Sequence, residues 1–418
     1  MNDTAANFSS TTTSATMTGF MPQPHCGRGT LDIIWSCLST SILAVWVSVH
    51  IDIDFPGGIE FPGGIEFPGG IEFPGGIEFP ESWDETPTWR SALRQAWNGR
   101  PVHFPLSAAS MKIPYAIYFT LFPEDAVTCA ISDLYLALYW RKEMRYITVF
   151  EEFSLQQAFL MVSWGIRVET DYESKFYKVY PVYMLRDLAR EGIIAFKNFP
   201  SKEDIDDRKK SDRLLKSISI FQTLWFLATI IYRLCTGLQI SLLEDLTAAH
   251  AICGLVQFIA WFSCPQDIRR PFIIPRIKKE EDLPKVVHKS RQKLHFWDRT
   301  EFFGFSLFNC AVFAVSVAVF TGIHLAAWRY SFASVTEMWL WRSCSLATVF
   351  VLPPIFISWG LLSTGRTKSP VVQASVMILG FFYVSLRLTI ISLAFAAFRK
   401  APMGIYKDAT WTDLIPHI

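Results

Sequence analysis

Charge is what this chain has least of. Asp, Glu, Lys and Arg make up 18% of its 418 residues, against about 25% in soluble globular domains. That shortfall excludes a chain built only of water-soluble domains. Basic residues exceed acidic ones by one, 39 to 38, so no strongly basic surface is expected and nucleic acid is excluded as a partner. Residues 1–30 are rich in Ser and Thr and lack both the basic opening and the apolar core of a signal peptide; they read as a disordered tail. Also missing are a glycine-rich phosphate loop before a helix, a Gly-x-Ser-x-Gly elbow and any close grouping of His, Cys and carboxylates. No cofactor and no metal are expected, and His288 and His295 in a basic loop read as a solvated face. A disulfide framework is excluded by position: of the eight cysteines only Cys26 lies in a polar segment, and the rest read as small apolar fillers.

What the chain does contain is apolar sequence, in seven stretches, most of them long enough to cross a bilayer. Phe302 to Trp328 runs without one Asp, Glu, Lys or Arg, longer than the roughly 20 residues a spanning helix needs. The expected fold is all-α: a polytopic membrane helix bundle of about seven spans, six to eight being admissible, with a small helical extramembrane linker. The lipid bilayer, endomembrane or plasma membrane, is its expected partner. The expected segments are a first span at 31–50, a loop at 51–112, and a second span with an interfacial or re-entrant patch at 113–166. A charged helical linker at 167–216 and a transmembrane hairpin at 217–263 follow, then a basic loop at 264–301, three spans within 302–398 and a tail at 399–418.

Two of these segments are unusual. The first loop carries the hexapeptide Phe-Pro-Gly-Gly-Ile-Glu, starting at Phe55, Phe61, Phe67 and Phe73 with a partial copy at Phe79. Pro and Gly at that density oppose helix and strand alike, so the repeat reads as a flexible acidic expansion rather than a cation site built from Glu60, Glu66, Glu72 and Glu78. The second span, Ile113 to Trp140, contains Pro123, Glu124, Asp125 and Asp133. Each carboxylate facing lipid at mid-membrane would cost about 2.5–3.5 kcal/mol, so these acids must face protein or water. The proline permits a break.

Helix-start patterns mark Ser201-Lys202-Glu203-Asp204 and Ser241-Leu242-Leu243-Glu244, where a hydroxyl and a carboxylate three residues apart satisfy each other's backbone amides. Glu244 and Asp245 therefore read as helix-start residues rather than ligands. Seven spans would gather Arg141, Lys142, Arg145, the basic end of the linker, the 265–301 loop with ten Lys or Arg against six acids, and Arg366 with Lys368 on one side. The positive-inside rule makes that side cytosolic. The N-terminus is then inside, the C-terminus and the hexapeptide loop outside, and the sequons at Asn2 and Asn7 never meet the glycosylation machinery. A second span that fails to cross, or a 158–166 patch that does, turns the N-terminus outward.

Several groups of residues together resemble a large family of fungal multi-spanning membrane proteins with no assigned biochemical activity. They are Arg28-Gly29-Thr30, Asp32-Ile33, Trp35-Ser36-Cys37, Thr40, Trp46 and His50; Pro123-Glu124; and Asp206, Asp207, Lys209, Ser211-Asp212, Leu214 and Lys216. Gln222, Trp225-Phe226, Arg233, Gly237-Leu238 and Leu243-Glu244 continue the match, and Arg387, Trp411 and Ile415-Pro416-His417-Ile418 end it. The resemblance covers most of the chain and implies fold and membrane location, but no catalytic residue. The hexapeptide expansion departs from the family, as does Gln156-Gln157-Ala158-Phe159 where the family has His-Gly-Phe. Its members often carry a signal peptide, which this chain lacks.

The candidate site residues are the polar groups within spans: Glu124, Asp125, Asp133, His250, His324 and Arg387. Asp125 and Asp133 are eight apart, about 12 Å along a helix and within about 80° of each other, so both could line one cavity, with Arg387 as their counter-charge. A structural ion pair is the competing reading for any of them. The function expected is a non-enzymatic membrane body, transporter-like, sensor or scaffold. The alternative is an intramembrane acyl- or prenyl-transferase, possibly of fungal secondary metabolism, using His250 or His324 with an acid, although the paired Asp-rich magnesium motifs of a prenyl-transferase are missing. A seven-helix receptor is disfavoured, since neither Asp-Arg-Tyr nor Asn-Pro-x-x-Tyr occurs at the expected spans.

Overall fold

The computed structural model describes residues 16–22, 27–49, 108–147, 152–163, 165–169, 177–179, 182–208, 213–266, 268, 271–275, 307–363 and 369–408. The hexapeptide repeat, the sequons at Asn2 and Asn7, Cys26, His50, His288, His295 and the C-terminal Trp411 to Ile418 lie outside them. The fold is an all-α bundle with small sheet elements. Its helices are α1 (Thr30–Ser48), α2 (Ala108–Leu121), α3 (Pro123–Arg145), α4 (Leu155–Val162), α5 (Val182–Arg190), α6 (Lys202–Arg208), α7 (Arg213–Cys235), α8 (Leu242–Ala260), α9 (Leu307–Ala326), α10 (Val335–Ser363) and α11 (Pro370–Ala396). Six of them, α1, α7, α8, α9, α10 and α11, are long and apolar enough to cross a membrane.

Helix α8 is the axis. Its most apolar window is 78% buried, against 17–33% in the other five. Small residues permit this: Ala248, Ala249 and Ala251 are buried, and a Cβ on Gly254 would meet Ala44 Cβ of α1 at 3.2 Å. Close backbone approach is the usual basis of helix packing in lipid, where burying apolar side chains gains nothing over leaving them in acyl chains. The outer helices accordingly present large apolar side chains outward, among them Trp35, Phe221, Phe350 and Phe381.

The bundle has two distinct ends. At the terminal end, the strand β1 (Met17–Thr18) pairs antiparallel with β5 (Ala401–Pro402). Both termini of the described chain therefore lie at the same end, which requires an even number of crossings. Six satisfies this and seven does not, so the expectation of an inside N-terminus with an outside C-terminus is corrected. At the opposite, linker end, α1 finishes beside the chain that follows α8: Gln266 Nε2 donates to Val47 O at 3.0 Å.

The stretch that does not cross is the acid-bearing second one. It breaks at Phe122 (φ −124, ψ 57), and Pro123 opens α3. Trp261, at the linker end of α8, stacks on Phe119 of α2 at 6.1 Å and donates Nε1 to Asp133 Oδ2 of α3 at 3.0 Å. Residues before and after the break thus return to one level. Tyr115 and Ala116 of α2 pack on the same core as Val49, Trp140 and Trp261. Helices α2 and α3 form a re-entrant pair that enters and leaves at the linker end, with its tip inside the bundle.

The extramembrane module differs from the helical linker expected. Strand β2 (Ile166–Glu169) pairs antiparallel with β3 (Tyr177–Val179) and parallel with β4 (Phe272–Ile274), which comes from the stretch expected to be a basic loop. Helix α4 covers the patch read as interfacial or re-entrant, yet Ala158, Phe159 and Leu160 are fully buried in a core shared with Leu188, Ile194, Ile205 and Ile274. That patch is the module's hydrophobic centre. Ser154 caps α4 by accepting from Gln157 N, and Ser201 and Asp204 cap α6 reciprocally at 2.9 and 3.1 Å.

Candidate functional site

The tip of the re-entrant pair brings together four of the polar groups buried among the helices, Glu124, His250, His324 and Arg387. A helix that stops at Leu121 leaves its last carbonyls unpaired, and Pro123 supplies no N–H. Away from water such carbonyls need donors. Two neighbouring helices supply them: His250 Nε2 of α8 meets Thr120 O at 3.0 Å, and Tyr383 Oη of α11 meets Leu121 O at 3.1 Å. On the other side of the break, Glu124 sits in the first turn of α3 and is fully buried.

Glu124 forms an ion pair with Arg387 Nη2 of α11. Arg387 Nε donates to Tyr383 Oη at 2.6 Å, and that hydroxyl lies 3.2 Å from Glu124 Oε2. The guanidinium lies over the face of Phe320 of α9, 4.1 Å from the ring centroid. Phe320 also packs against the rings of His250 at 5.2 Å and His324 at 4.6 Å. Glu124, His250, His324 and Arg387 are thus brought together around one aromatic ring that bridges four helices.

Asp125 and Asp133 stand elsewhere, which corrects the expectation that they share a cavity with Arg387. The break makes Glu124 and Asp125 consecutive first-turn residues about 100° apart, so only one of them faces Arg387. Asp125 accepts from Tyr118 Oη at 2.5 Å. Asp133 accepts from Trp261 at the linker end. Tyr118, Phe320 and Tyr383 were not singled out in the sequence. Tyr383 could have been, because it precedes Arg387 by four residues and so shares its helix face.

Neither histidine is arranged as a base. His250 Nδ1 lies 2.9 Å from Leu246 O while Nε2 faces Thr120 O, so each ring nitrogen faces a backbone carbonyl and the neutral ring donates to one of them. His324 Nδ1 faces Phe320 O at 2.9 Å, and its ring stacks on Trp341 at 5.8 Å. Its Nε2 is buried without a hydrogen-bond partner. Among the described residues, no group of three or more His, Cys, Asp or Glu is placed to hold a metal ion.

A second polar cluster closes the terminal end. Arg28 grips Glu244 through both terminal nitrogens at 2.5 and 2.9 Å, while Glu244 completes the Ser241 cap of α8. Arg28 Nε also donates to Ile405 O at 2.8 Å. Arg233 is fully buried and donates to the carbonyls of Gln239, Gly404, Ile405 and Lys407 at 2.6–3.2 Å. The two arginines and Glu244 tie the C-terminal segment across the ends of α1, α7 and α8. Glu244 is therefore both a helix-start residue and an ion-pair partner.

These features define a multi-pass helical bundle with six candidate membrane spans, a re-entrant helix pair and a small extramembrane α+β module. Residues 130–288 match a family of unknown function (DUF8562). The match takes in Asp133 and His250 but stops short of Glu124, Asp125, His324 and Arg387. No curated protein and no solved structure matches the chain.

Proposed function

We propose that this chain is a non-enzymatic, transporter-like membrane protein in which the α2–α3 tip acts as a gate and the Glu124–Arg387 pair as its latch. The observation that carries the reading is the tip itself. Broken helices whose ends meet deep in the membrane are the usual building blocks of solute and ion sites, because only there do free backbone dipoles and charges have a use that offsets their burial. Helix α3 rises about 25 Å from Arg141 to Glu124, deep enough to seal a path across the bundle. Asp245 Oδ2 and His324 Nε2 are buried without partners, and hydration of such groups in an open state would favour opening.

The enzyme alternative finds little support. A base needs a free ring nitrogen within reach of substrate; both nitrogens of His250 are turned to backbone carbonyls, and His324 is enclosed by Phe320 and Trp341. The resemblance to fungal membrane proteins adds a membrane location and no activity. For orientation, six crossings collect Arg141, Lys142, Arg145, the 265–301 loop, Arg366 and Lys368 at the linker end. The positive-inside rule then favours a cytosolic module with both termini on the far side, where Asn2 and Asn7 could be glycosylated. A fungal endomembrane or plasma membrane is the proposed location.

The test is transport without a presupposed substrate. Vesicles reconstituted with the protein and loaded with a cellular metabolite extract should lose particular solutes faster than protein-free vesicles, with rates altered by Glu124→Gln. Retention of every solute would sink the reading. New product masses in the extract would instead favour the enzyme.

A further inference from the structure

At the linker end, the last turns of α3 form a feature that the gate does not use. Leu138, Arg141, Lys142, Arg145 and Tyr146 line a hollow of about 290 Å³. We propose that this hollow binds a phosphate-bearing anion presented by membrane lipid headgroups on the face that carries the extramembrane module.

The spacing creates the cluster: Arg141 and Arg145 are four apart on one helix face, and Lys142 lies beside them. Like charges so placed destabilise a helix. The negative end of the α3 dipole offsets part of that repulsion, but it falls off within a turn and faces three cations. Arg141 and Arg145 both donate Nε to the same carbonyl, Phe153 O, at 3.3 and 3.1 Å. That shared anchor sets two guanidiniums side by side and leaves their forked Nη donors without a protein acceptor among the described residues. The one acid within these turns is directed elsewhere, since Glu143 lies 3.5 Å from Arg186. Burial first and the neighbouring Arg145 second hold Arg141 below the usual guanidinium range.

The surroundings point to a lipid. Tyr135, Leu138 and Tyr139 are exposed along the outer stripe of α3 leading to the hollow, and Tyr146 is exposed at its rim. Tyrosines at the edge of an apolar surface mark headgroup depth. Paired guanidiniums match the geometry of phosphate oxygens, and each cation near an anionic leaflet contributes about 1 kcal/mol, roughly fivefold in affinity.

The full-length protein in detergent would be mixed with phosphatidylinositol 4-phosphate or phosphatidylcholine, and retained lipid counted by native mass spectrometry. A parallel arm offers soluble inositol phosphates. The phosphorylated lipid should be retained at least tenfold over phosphatidylcholine and over the soluble anion. Arg141→Gln, Lys142→Gln and Arg145→Gln should each lower retention about fivefold, while Lys400→Gln at the opposite end leaves it unchanged. Soluble anions bound as tightly, with the same dependence on the three cations, would uphold the phosphate site and assign it to a free ligand. Equal retention of both lipids with no soluble anion bound, or undiminished retention by Lys142→Gln and by a folded Arg141→Gln/Arg145→Gln protein, would overturn it.

Discussion

Arg387 and Glu124 stand 263 positions apart in the chain and are bonded to each other at the tip of the re-entrant pair, both almost wholly buried. Removing one partner of such a pair leaves an uncompensated charge and costs about 3–5 kcal/mol, whereas replacing both with apolar residues of similar volume is often close to neutral. Arg387→Met or Glu124→Leu alone should therefore destabilise the detergent-solubilised protein by that amount. The double variant should recover most of the loss. Thermal unfolding followed by tryptophan fluorescence checks this, and simple additivity of the two single effects would show that the residues are not coupled.

Tyr383 supports the same pair from one turn away. Its hydroxyl accepts from Arg387 Nε and reaches both Leu121 O and Glu124 Oε2. Tyr383→Phe keeps the ring but leaves buried groups unmatched, which costs about 1–3 kcal/mol. In the Arg387→Met/Glu124→Leu background only Leu121 O still needs the hydroxyl, so the cost should shrink to about 1 kcal/mol. Equal costs in the two backgrounds would mean that the hydroxyl does not serve the ion pair.

The bundle was readable because spans announce themselves by composition: α1, α7, α8, α9, α10 and α11 coincide with apolar stretches. The break at Pro123 was also legible, since proline and three acids cannot lie in a lipid-facing helix. What could not be read was where the chain goes after the break. That is decided by Trp261, which bonds Asp133 and stacks on Phe119, and nothing local in residues 113–140 encodes a partner so distant in sequence. The same holds for β2, whose parallel neighbour Phe272–Ile274 lies about a hundred residues on. It also holds for the choice of Glu124 over Asp125, which turns on the residue at which α3 starts. Strand segments of three or four residues carry too little alternation to be seen.

The closed terminal end depends on glycines that leave room for backbone. A Cβ on Gly29 would stand 2.3 Å from Pro22 O, a backbone atom, whereas one on Gly404 would meet the movable Gln239 side chain at 2.4 Å. Gly29→Ala should therefore force the segment before α1 away from its seat, at about 1–3 kcal/mol for an overpacked site. Gly404→Ala should cost less than 1 kcal/mol. Limited proteolysis within residues 16–28, fast in the first variant and slow in the second, distinguishes them; equal rates would contradict the argument.

In the extramembrane module the Ser201 amide and hydroxyl bond the Asp204 carboxylate and amide, and these bonds hold the carboxyl below its usual 3.8. A carboxyl whose folded value is depressed binds protons more tightly when unfolded. Its contribution is therefore complete above about pH 4 and is lost as pH falls through the folded value. Amide exchange over 202–208, corrected for intrinsic rates, should accelerate below pH 4, and Asp204→Asn should flatten that step. An unchanged acid response in the variant would assign the step to another group.

The pairing of Met17–Thr18 with Ala401–Pro402 makes a topological prediction independent of any activity. Strands that exchange backbone hydrogen bonds occupy one compartment, so epitope tags at the two ends of the chain must be accessible together or protected together. A seven-span arrangement would separate them. The basic residues at the linker end set the sign: with only the plasma membrane permeabilised, a tag inserted between residues 276 and 300 should be reached by antibody in the cytosol, and both terminal tags should be reached only from the other face, at the cell exterior or after the internal membranes are opened. Under that orientation the sequons would face the glycosylation machinery, so glycosidase treatment should shift the mobility of the wild-type protein, and Asn2→Gln/Asn7→Gln should remove that shift. One accessible and one protected terminus would be incompatible with the β1–β5 pair, and with it the re-entrant path of α2 and α3 would fall.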